Sequence, residues 1–283
     1  MYLSTQEELA AFCERAATAK VIAVDTEFLR ERTYYPKLCL VQVGTASEIG
    51  AIDPILIEDL SPLAALLGDE TVTKVFHACT QDLEVLLDGM GVACAPVFDT
   101  QLAAAFLGMR QQVSYGSLVE AYCGVHLPKA ESLTDWSRRP LDPEQLAYAE
   151  DDVRYLPGIY ERMMAQLVER DRLSWVAPEM EELADLSRIR RAPEEAYLRL
   201  RRAGSLTRRQ LAIAREVCAW RERSAAERDL PRKWVASDEV VVEVCKRAPS
   251  TMERLRRIRG TDQISEREGR SLIEAVARGL ACP

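Results

Sequence analysis

The chain has 283 residues, of which 48% are hydrophobic and 29% charged, and its net charge is −8. That length accommodates one large domain and a smaller one, with a core that needs no disulfide bonds. No apolar run approaches the roughly 20 residues of a membrane-spanning helix, and the N-terminal segment lacks the basic and apolar stretches of a signal peptide. We therefore expect a globular protein of the cytoplasm, with no membrane partner.

The first half of the chain alternates strand-like and helix-like segments. Thr5 and Glu8 have capping-box spacing at the head of an amphipathic helix. Four apolar segments are predicted to be strands, at residues 21–25, 38–44, 47–53 and 73–78. Helices are predicted at residues 60–69, 80–89, 100–108 and 115–123. Strands that come first, with some alternation, favour an α/β layer domain with a mixed sheet.

From Pro143 onward the predicted structure is helical. Pro143 suits the first turn of a long helix that carries EQLAYAEDDVRYLPGIYERMMAQLVER. Residues 179–204 have the pattern of a helical linker, and successive helices separated by Pro- or Gly-containing turns follow from Thr207. We expect a small all-α domain in this last part.

The net charge conceals an asymmetry between these two parts. From Arg188 onward there are 23 Lys and Arg against 14 Asp and Glu, which leaves 14 against 31 of the chain's 37 and 45 for the preceding part. An arginine-rich second part favours binding of a polyanion there, while the acidic first part performs other chemistry. A basic helical surface without a partner is the alternative explanation.

Four acidic residues in three apolar elements are the strongest functional signal. Asp25 and Glu27 are two apart on a predicted strand, so both side chains leave the same face. Asp82 lies near the start of the helix after the fourth strand, and Asp152 follows Tyr148 by one helical turn. Carboxylates on a buried face repel each other unless a cation lies between them. Two Mg²⁺ or Mn²⁺ ions about 4 Å apart suit such ligands and can cleave a phosphodiester bond.

The cysteines and histidines argue against a zinc site. The eight cysteines are scattered without a C-x-x-C pair, and the two histidines are His77 and His126. Buried free thiols explain the cysteines best. We therefore expect oxygen ligands for any metal ion.

The segments around these acids resemble the ribonuclease D family, which belongs to the DEDDy group of 3′–5′ exonucleases. The matching segments, in family order, are DTEFLRERTYYPKLCLVQVG, HACTQDLEVLL, VFDTQLAAAF, ESLTDWSRRPL and YAEDDVRYLPGIY. Near the C-terminus, a Trp-Arg-Glu helix, a Leu-Pro pair and a helix ending at Ala-Pro resemble the HRDC domain. The resemblance implies a ribonuclease H-like α/β exonuclease domain with a mixed sheet, followed by a small all-α HRDC domain.

The resemblance also implies a role for each motif residue. Asp25, Glu27, Asp82 and Asp152 would bind two Mg²⁺ or Mn²⁺ ions, and Tyr148 would orient or deprotonate the attacking water. Because a free phenol has a pKa near 10, the metal is expected to do most of the activation. The implied enzyme is a metal-dependent 3′–5′ exoribonuclease that releases 5′-mononucleotides, with tRNA precursors as expected substrates.

Four further residues are predicted to contact the substrate: Thr26, Phe28, His77 and Tyr34. Phe28 is a candidate for wedging the terminal base, His77 for contacting a phosphate and Tyr34 for stacking on a base. A place in the core explains Phe28 equally well, and a structural role explains His77 equally well. For Tyr34, packing is the commoner role of paired tyrosines in a loop.

The implied domains are an exonuclease domain at residues 1–172, a helical linker at 173–206 and an HRDC-like nucleic-acid-binding domain at 207–283. Well-studied ribonuclease D enzymes carry a second helical C-terminal domain, and this sequence has room for one only. We therefore expect its hold on RNA to differ from theirs.

Two other functions remain open at this point. One is an exonuclease of the same chemistry that prefers DNA, and the other is a non-catalytic nucleic-acid-binding protein that uses the helical tail. An ATPase or helicase is excluded more firmly, because no glycine is followed by lysine and a phosphate-binding G-x-x-x-x-G-K-[ST] loop is therefore absent.

Overall fold

A computed structural model describes residues 1–128, 134–190 and 192–282. They fold as two compact units: Met1–Leu29 with Pro36–Ile189, and Arg30–Tyr35 with Arg190–Pro283. Apart from Arg30–Tyr35, the second unit starts at Arg190. This residue lies within the predicted linker, residues 173–206, and before the predicted HRDC-like domain, residues 207–283. The letters ESL of the predicted ESLTDWSRRPL motif lie outside the described residues.

The first unit is built on a six-stranded mixed sheet with the order β1-β4-β3-β2-β5-β6. Its strands are β1 (Tyr2–Leu3), β2 (Val21–Leu29), β3 (Lys37–Gly44), β4 (Ile49–Ile52), β5 (Thr73–Phe76) and β6 (Val97–Asp99). β3 is antiparallel to β2 and β4, and the other neighbouring pairs are parallel. β1 and β6 have no counterpart among the predicted strands, because two or three residues are too few to establish an alternating pattern.

Nine helices are described in the first unit. They are α1 (Gln6–Ala16), α2 (Ser61–Gly68), α3 (Thr80–Met90), α4 (Thr100–Phe106), α5 (Tyr115–Cys123), α6 (Pro143–Arg154), α7 (Leu156–Glu169), α8 (Leu173–Leu183) and α9 (Leu186–Ile189). The capping box that begins α1 is present as predicted, with the Thr5 side chain accepting from the Glu8 amide. No helix in the described part of the chain is long and apolar enough to cross a membrane.

The prediction of one long helix after Pro143 is wrong. The helix ends at Arg154, and a separate helix begins at Leu156 with Pro157 in its first turn. Pro157 has no amide hydrogen to donate to a carbonyl one turn earlier, and its ring would clash with that carbonyl, so α6 does not continue through it. As a result α6 packs on β2, β3 and β4, whereas α7 packs on α4 and against β2 and β5.

Apolar side chains fill both faces of the sheet. On one face Leu9, Phe12 and Leu63 belong to a core that also includes Val24 of β2. On the other face the helix α6 comes very close to β3, because a Cβ at Gly44 would lie 3.2–3.3 Å from atoms of Val153. A glycine in β3 therefore allows α6 to lie directly on the sheet, next to the strand that carries Asp25 and Glu27.

The second unit is helical, as predicted. Its helices are α10 (Arg208–Glu227), α11 (Arg232–Val235), α12 (Asp238–Arg247), α13 (Met252–Arg256) and α14 (Glu266–Ala281), with 3₁₀ turns at Pro193–Arg199 and Ala203–Ser205. A serine or threonine caps the first turn of four of these helices: Thr207, Ser237, Thr251 and Ser265. A Cβ at Gly279 would lie 2.5 Å from the Ile213 Cα, so this glycine lets α10 and α14 pack backbone to backbone.

The second unit also contains the six residues Arg30–Tyr35 that connect β2 to β3. The Tyr34 hydroxyl donates to Glu222 at 3.0 Å, and the Arg232 guanidinium lies 5.5 Å from the centre of the Tyr34 ring. One carboxylate oxygen of Asp229 accepts from the amides of Tyr34 and Tyr35, both at 3.0 Å. These contacts fix the connecting segment against helical residues that are far from it in sequence.

Candidate active site

Three of the predicted acids converge on one face of the sheet. Asp25, Glu27 and Asp152 each present a carboxylate oxygen, and these oxygens lie within 4.8 Å of one another. Asp25 and Glu27 leave the same face of β2 because side chains alternate along a strand. α6 packs on β2 and brings Asp152 to the two strand residues. Asp25 and Glu27 are therefore held together by the two-residue period of β2, and Asp152 joins them from α6.

Asp82 approaches the cluster from α3, which packs against β2 and β3. It lies in the first turn of α3, is only 8% exposed, and accepts a hydrogen bond of 2.5 Å from the Thr26 hydroxyl. The Thr26 side chain points away from the face of β2 that carries Asp25 and Glu27, and its hydroxyl fixes the Asp82 carboxylate by this hydrogen bond. One predicted substrate contact, Thr26, thus supports an acidic residue in this structure.

Burial raises the pKa of every acid in the site, and the charges of the other site acids add to this for Asp25, Glu27 and Asp152. Burial and then the charges of Asp82, Asp152 and Glu27 raise the pKa of Asp25 well above its usual value. Burial, with the charges of Asp152 and Asp82, raises the pKa of Glu27 to about 8. Burial also raises the pKa of Asp152 to about 7 and that of Asp82 to about 6, against the lowering effect of their hydrogen bonds. These oxygens fit a hard divalent cation, which would remove the repulsion.

Tyr148 lies one helical turn before Asp152 and is hydrogen-bonded to its carboxylate. Burial and the charges of Asp152, Glu27 and Asp25 raise the pKa of Tyr148 above its ordinary value. The residue remains 38% exposed, so part of its side chain is accessible to solvent. The ring of Trp136 lies 6.1 Å from that of Tyr148, centre to centre, with the planes tilted by 35°.

A buried ion pair holds the loop that carries Trp136. Asp53 is fully buried, and its carboxylate accepts hydrogen bonds from the Arg139 guanidinium and from the Tyr2 hydroxyl. Arg139 also donates to the carbonyls of Trp136 and Cys39, both at 2.7 Å. We did not identify Trp136, Asp53 or Tyr2 from the sequence, although Trp136 lies in the ESLTDWSRRPL motif. A sequence signal for this network is Arg139, which lies in the same motif, but its partner Asp53 is 86 residues away.

His77 is held by protein atoms on both ring nitrogens. Its Nε2 donates to the Val113 carbonyl at 3.0 Å, and its Nδ1 lies 2.9 Å from the Thr100 hydroxyl. Burial lowers the pKa of His77 below its usual value. This arrangement favours a structural role over a phosphate contact.

The structure gives other contacts for the remaining two predicted substrate contacts, Phe28 and Tyr34. Phe28 is half-buried and packs against the core of the first unit, and a β-bulge separates it from Glu27. Tyr34 belongs to the second unit, where it contacts Glu222 and Arg232. Their roles toward a substrate remain predictions.

Asp99 fixes the start of the helix that carries Asp82. One of its carboxylate oxygens caps α4 by accepting from the amides of Gln101 and Leu102 at 2.8 and 3.1 Å. The carboxylate also accepts from the amides of Ala78 and Cys79, which immediately precede α3. Ala78 has a φ of 61°, an unusual value for alanine that these hydrogen bonds help to hold.

Two family models match this chain. A 3′–5′ exonuclease model matches residues 1–168, and an HRDC domain model matches residues 210–276. Together they cover the sheet-containing part and most of the helical part.

Named relatives match along nearly the whole chain. Ribonuclease D of Acidiphilium cryptum is 44% identical over 284 residues, which cover 99% of this chain and 72% of that protein. The crystal structure of Escherichia coli RNase D, an exoribonuclease involved in structured RNA processing, superposes with a TM-score of 0.86 at 37% identity, covering 100% of this chain and 76% of that one. The catalytic core of RRP6 from Trypanosoma brucei superposes with a TM-score of 0.68 at 25% identity, covering 99% and 79%.

Proposed function

The chain belongs to the ribonuclease D family of 3′–5′ exoribonucleases, and we propose that Asp25, Glu27, Asp82 and Asp152 form its metal site, with Tyr148 positioning the attacking water. It has the ribonuclease H-like exonuclease fold of that family with a C-terminal HRDC domain, and the family depends on divalent metal ions. Nucleic acid, and RNA in particular, is its substrate class.

One observation carries the assignment of the site. The carboxylate oxygens of Asp25, Glu27 and Asp152 lie within 4.8 Å of one another in a half-buried position where they repel. With Asp82 beside them, there are enough ligands for two ions, and oxygen ligands favour Mg²⁺ or Mn²⁺ over zinc. A bound pair of such ions would lower the pKa of water and stabilise the leaving oxygen of the phosphodiester.

The raised pKa of Tyr148 supports a role as a hydrogen-bond partner and not as a base. With its pKa above the ordinary value of a phenol, Tyr148 stays protonated at neutral pH. Its hydroxyl hydrogen goes to Asp152, which leaves the oxygen lone pairs to orient the attacking water in line with the leaving group. The water oxygen forms the new bond to phosphorus, the 3′-oxygen of the preceding nucleotide leaves, and a 5′-mononucleotide is released.

We place the hold on the rest of the RNA in an arginine-rich part of the second unit, which we call the arginine segment (residues 199–209). It contains five exposed arginines and no acidic residue: Arg199, Arg201, Arg202, Arg208 and Arg209. Such a stretch favours contact with phosphates without reading sequence. Structured RNAs with a single-stranded 3′ tail, tRNA precursors among them, are the substrates that we propose.

The test uses a 5′-labelled RNA with a 3′ single-stranded tail and either Mg²⁺ or Mn²⁺. We expect stepwise shortening by the wild type and almost none by Asp152→Asn. The matched control is Asp151→Asn, which removes the same charge one residue away, where Asp151 pairs with Arg154 on the surface. Equal shortening by Asp152→Asn and wild type would contradict the site assignment. A DNA oligonucleotide of the same sequence, run in parallel, tests the DNA-preferring alternative.

A further inference from the structure

Gln42 stands out as a buried amide without a partner. It lies in the middle of β3 and is 0% exposed. Neither its amide nitrogen nor its amide oxygen makes a hydrogen bond with the part of the chain that the structure describes. A buried amide left unpaired costs about 1–3 kcal/mol, so an apolar side chain of the same size would be more favourable for folding alone.

The position of Gln42 in the sheet points to the acidic cluster. Gln42 is the cross-strand partner of Asp25 in the antiparallel pair of β2 and β3. Directly paired residues leave the same face of the sheet, with Cβ atoms about 4.5–5.5 Å apart. Gly44, two residues further along β3, faces Val153 on α6. Gln42 therefore lies beneath α6, between the strand and the helix that supply the acids.

The chemistry of the two groups is complementary. An ionised Asp25 is only an acceptor, and each of its oxygens that is not bound to a metal requires a donor. Carboxylates that bind metals are usually hydrogen-bonded by neighbouring side chains, which fix their orientation. Gln42 carries two amide hydrogens that no other described group accepts.

We propose that Gln42 is a positioning residue for Asp25, donating a hydrogen bond from its amide nitrogen to one buried water that in turn donates to the Asp25 carboxylate. The hydrogen bond from this water orients the carboxylate toward the metal and is stronger than a neutral one because the acceptor is charged. This inference rests on the proposed metal site. It concerns metal affinity first and turnover only as a consequence.

The variant that tests it is Gln42→Leu, which keeps the volume and removes the polar atoms. In EDTA we expect the melting temperature of Gln42→Leu to equal or exceed that of the wild type, because an unpaired buried group has been removed. In titration calorimetry we expect Mn²⁺ to bind about tenfold more weakly. An unchanged Mn²⁺ affinity overturns the inference, whatever the melting temperature does.

Lys74→Met is the matched control, because Lys74 is an equally buried polar residue of the same sheet. Its ammonium donates to the carbonyls of Asp69 and Ala95, so the variant should melt at a lower temperature in EDTA and bind Mn²⁺ as the wild type does. A lower melting temperature of Gln42→Leu with normal Mn²⁺ affinity would show the same structural role and would refute the positioning role.

A second variant separates failure of this inference from failure of the proposed site. Asp25→Asn should weaken Mn²⁺ binding more than Gln42→Leu does, because it alters a proposed ligand itself. If Asp25→Asn binds Mn²⁺ normally, the metal site is misassigned and the role of Gln42 falls with it. If Asp25→Asn is impaired and Gln42→Leu is not, only the inference about Gln42 is refuted.

Discussion

At the scale of single residues, Tyr148 illustrates how surroundings decide a role. A half-buried tyrosine beside three carboxylates is harder to ionise than a free one, so the phenol acts through its hydrogen bonds. We expect Tyr148→Phe to lower kcat about 100-fold on an RNA oligonucleotide and to leave Mn²⁺ affinity unchanged. Single-turnover rates and calorimetry measure the two effects separately. A parallel loss of Mn²⁺ affinity would indicate that the hydroxyl supports the ligands instead.

The acids themselves predict a dependence of stability on pH. The pKa of Glu27 is raised to about 8 in the folded protein from its model-compound value of 4.5, so the folded state holds a proton that the unfolded state has lost between those values. Stability from this group is fully present below pH 4.5 and is lost as the pH rises through about 8. Asp152, with a pKa of about 7, adds a loss in the same direction.

We therefore expect Glu27→Gln to flatten the pH dependence of melting in EDTA. Between pH 5 and 8 the wild type should lose roughly 5 °C more than the variant, because the variant has no proton to release. Differential scanning calorimetry at a series of pH values measures this. Equal slopes for the two proteins would mean that Glu27 titrates normally in the folded state.

The residues that were predicted from the sequence are those whose spacing is local. Asp25 with Glu27, and Tyr148 with Asp152, share a face by the period of a strand or a helix. Trp136 and Gln42 reach the same place through the path of a loop and the register of two strands, which no local period specifies. That is why the sequence indicated the acids and missed their supports.

At the scale of elements, the buried pair of Asp53 and Arg139 connects β4 to the loop that carries Trp136. Burial by itself raises the pKa of Asp53, but hydrogen bonds from Arg139 and Tyr2 outweigh it and hold that pKa below its usual value. Asp53 is therefore ionised, and removing its charge leaves the arginine without compensation in a buried position.

We expect Asp53→Asn to destabilise the protein by about 3 kcal/mol in urea unfolding. Its kcat should also fall, because the loop no longer holds Trp136 against Tyr148. Glu48→Gln is the control, since it breaks the exposed pair of Glu48 and Arg15 and should cost less than about 1 kcal/mol. A cost for Asp53→Asn as small as that of the control would argue against a supporting role for the buried pair.

The break between α6 and α7 shows what hydrophobic periodicity cannot resolve. Apolar residues continue at helical spacing through the break, so the pattern alone favours one helix. The structure interrupts it at Tyr155, because Pro157 needs no amide partner at the start of a helix but disrupts the middle of one. Pro157 is therefore the sequence feature that predicts the break, whereas the apolar spacing predicts one continuous helix.

At the scale of the whole molecule, the arginine segment predicts how RNA binding responds to salt. Replacing Arg199, Arg201, Arg208 and Arg209 with serine should weaken binding of a tailed RNA and reduce the slope of log K against log salt by up to about 3. Turnover of a short oligonucleotide at saturation should be unchanged. Fluorescence anisotropy at several salt concentrations measures the slope.

The control removes the same charge from arginines that pair with glutamates: Arg223, Arg247, Arg257 and Arg270. Because their charge is partly compensated by these partners, we expect a smaller change in slope. Equal slopes for the two quadruple variants would show that net charge, and not the arginine segment, governs RNA binding.

The two-part organisation was predicted from the loss of strand signals and the change of charge, both of which are properties of long stretches. The assignment of Arg30–Tyr35 to the helical unit could not be, since the Tyr34 amide and its partner Asp229 are 195 residues apart. The predicted domains are continuous ranges of the chain, so they cannot assign a short internal segment such as Arg30–Tyr35 to the helical unit.

Because Arg30–Tyr35 belongs to the helical unit, the two units cannot be separated by a simple truncation. The polypeptide passes from one unit to the other at Leu29, returns at Pro36 and passes again at Ile189, so no single cut separates the units. An expression fragment that stops before α10 would lack Glu222, Asp229 and Arg232, and would leave Tyr34 without the partners that it has in the intact chain. Genetic dissection of the two units therefore needs point variants at these partners in place of truncation.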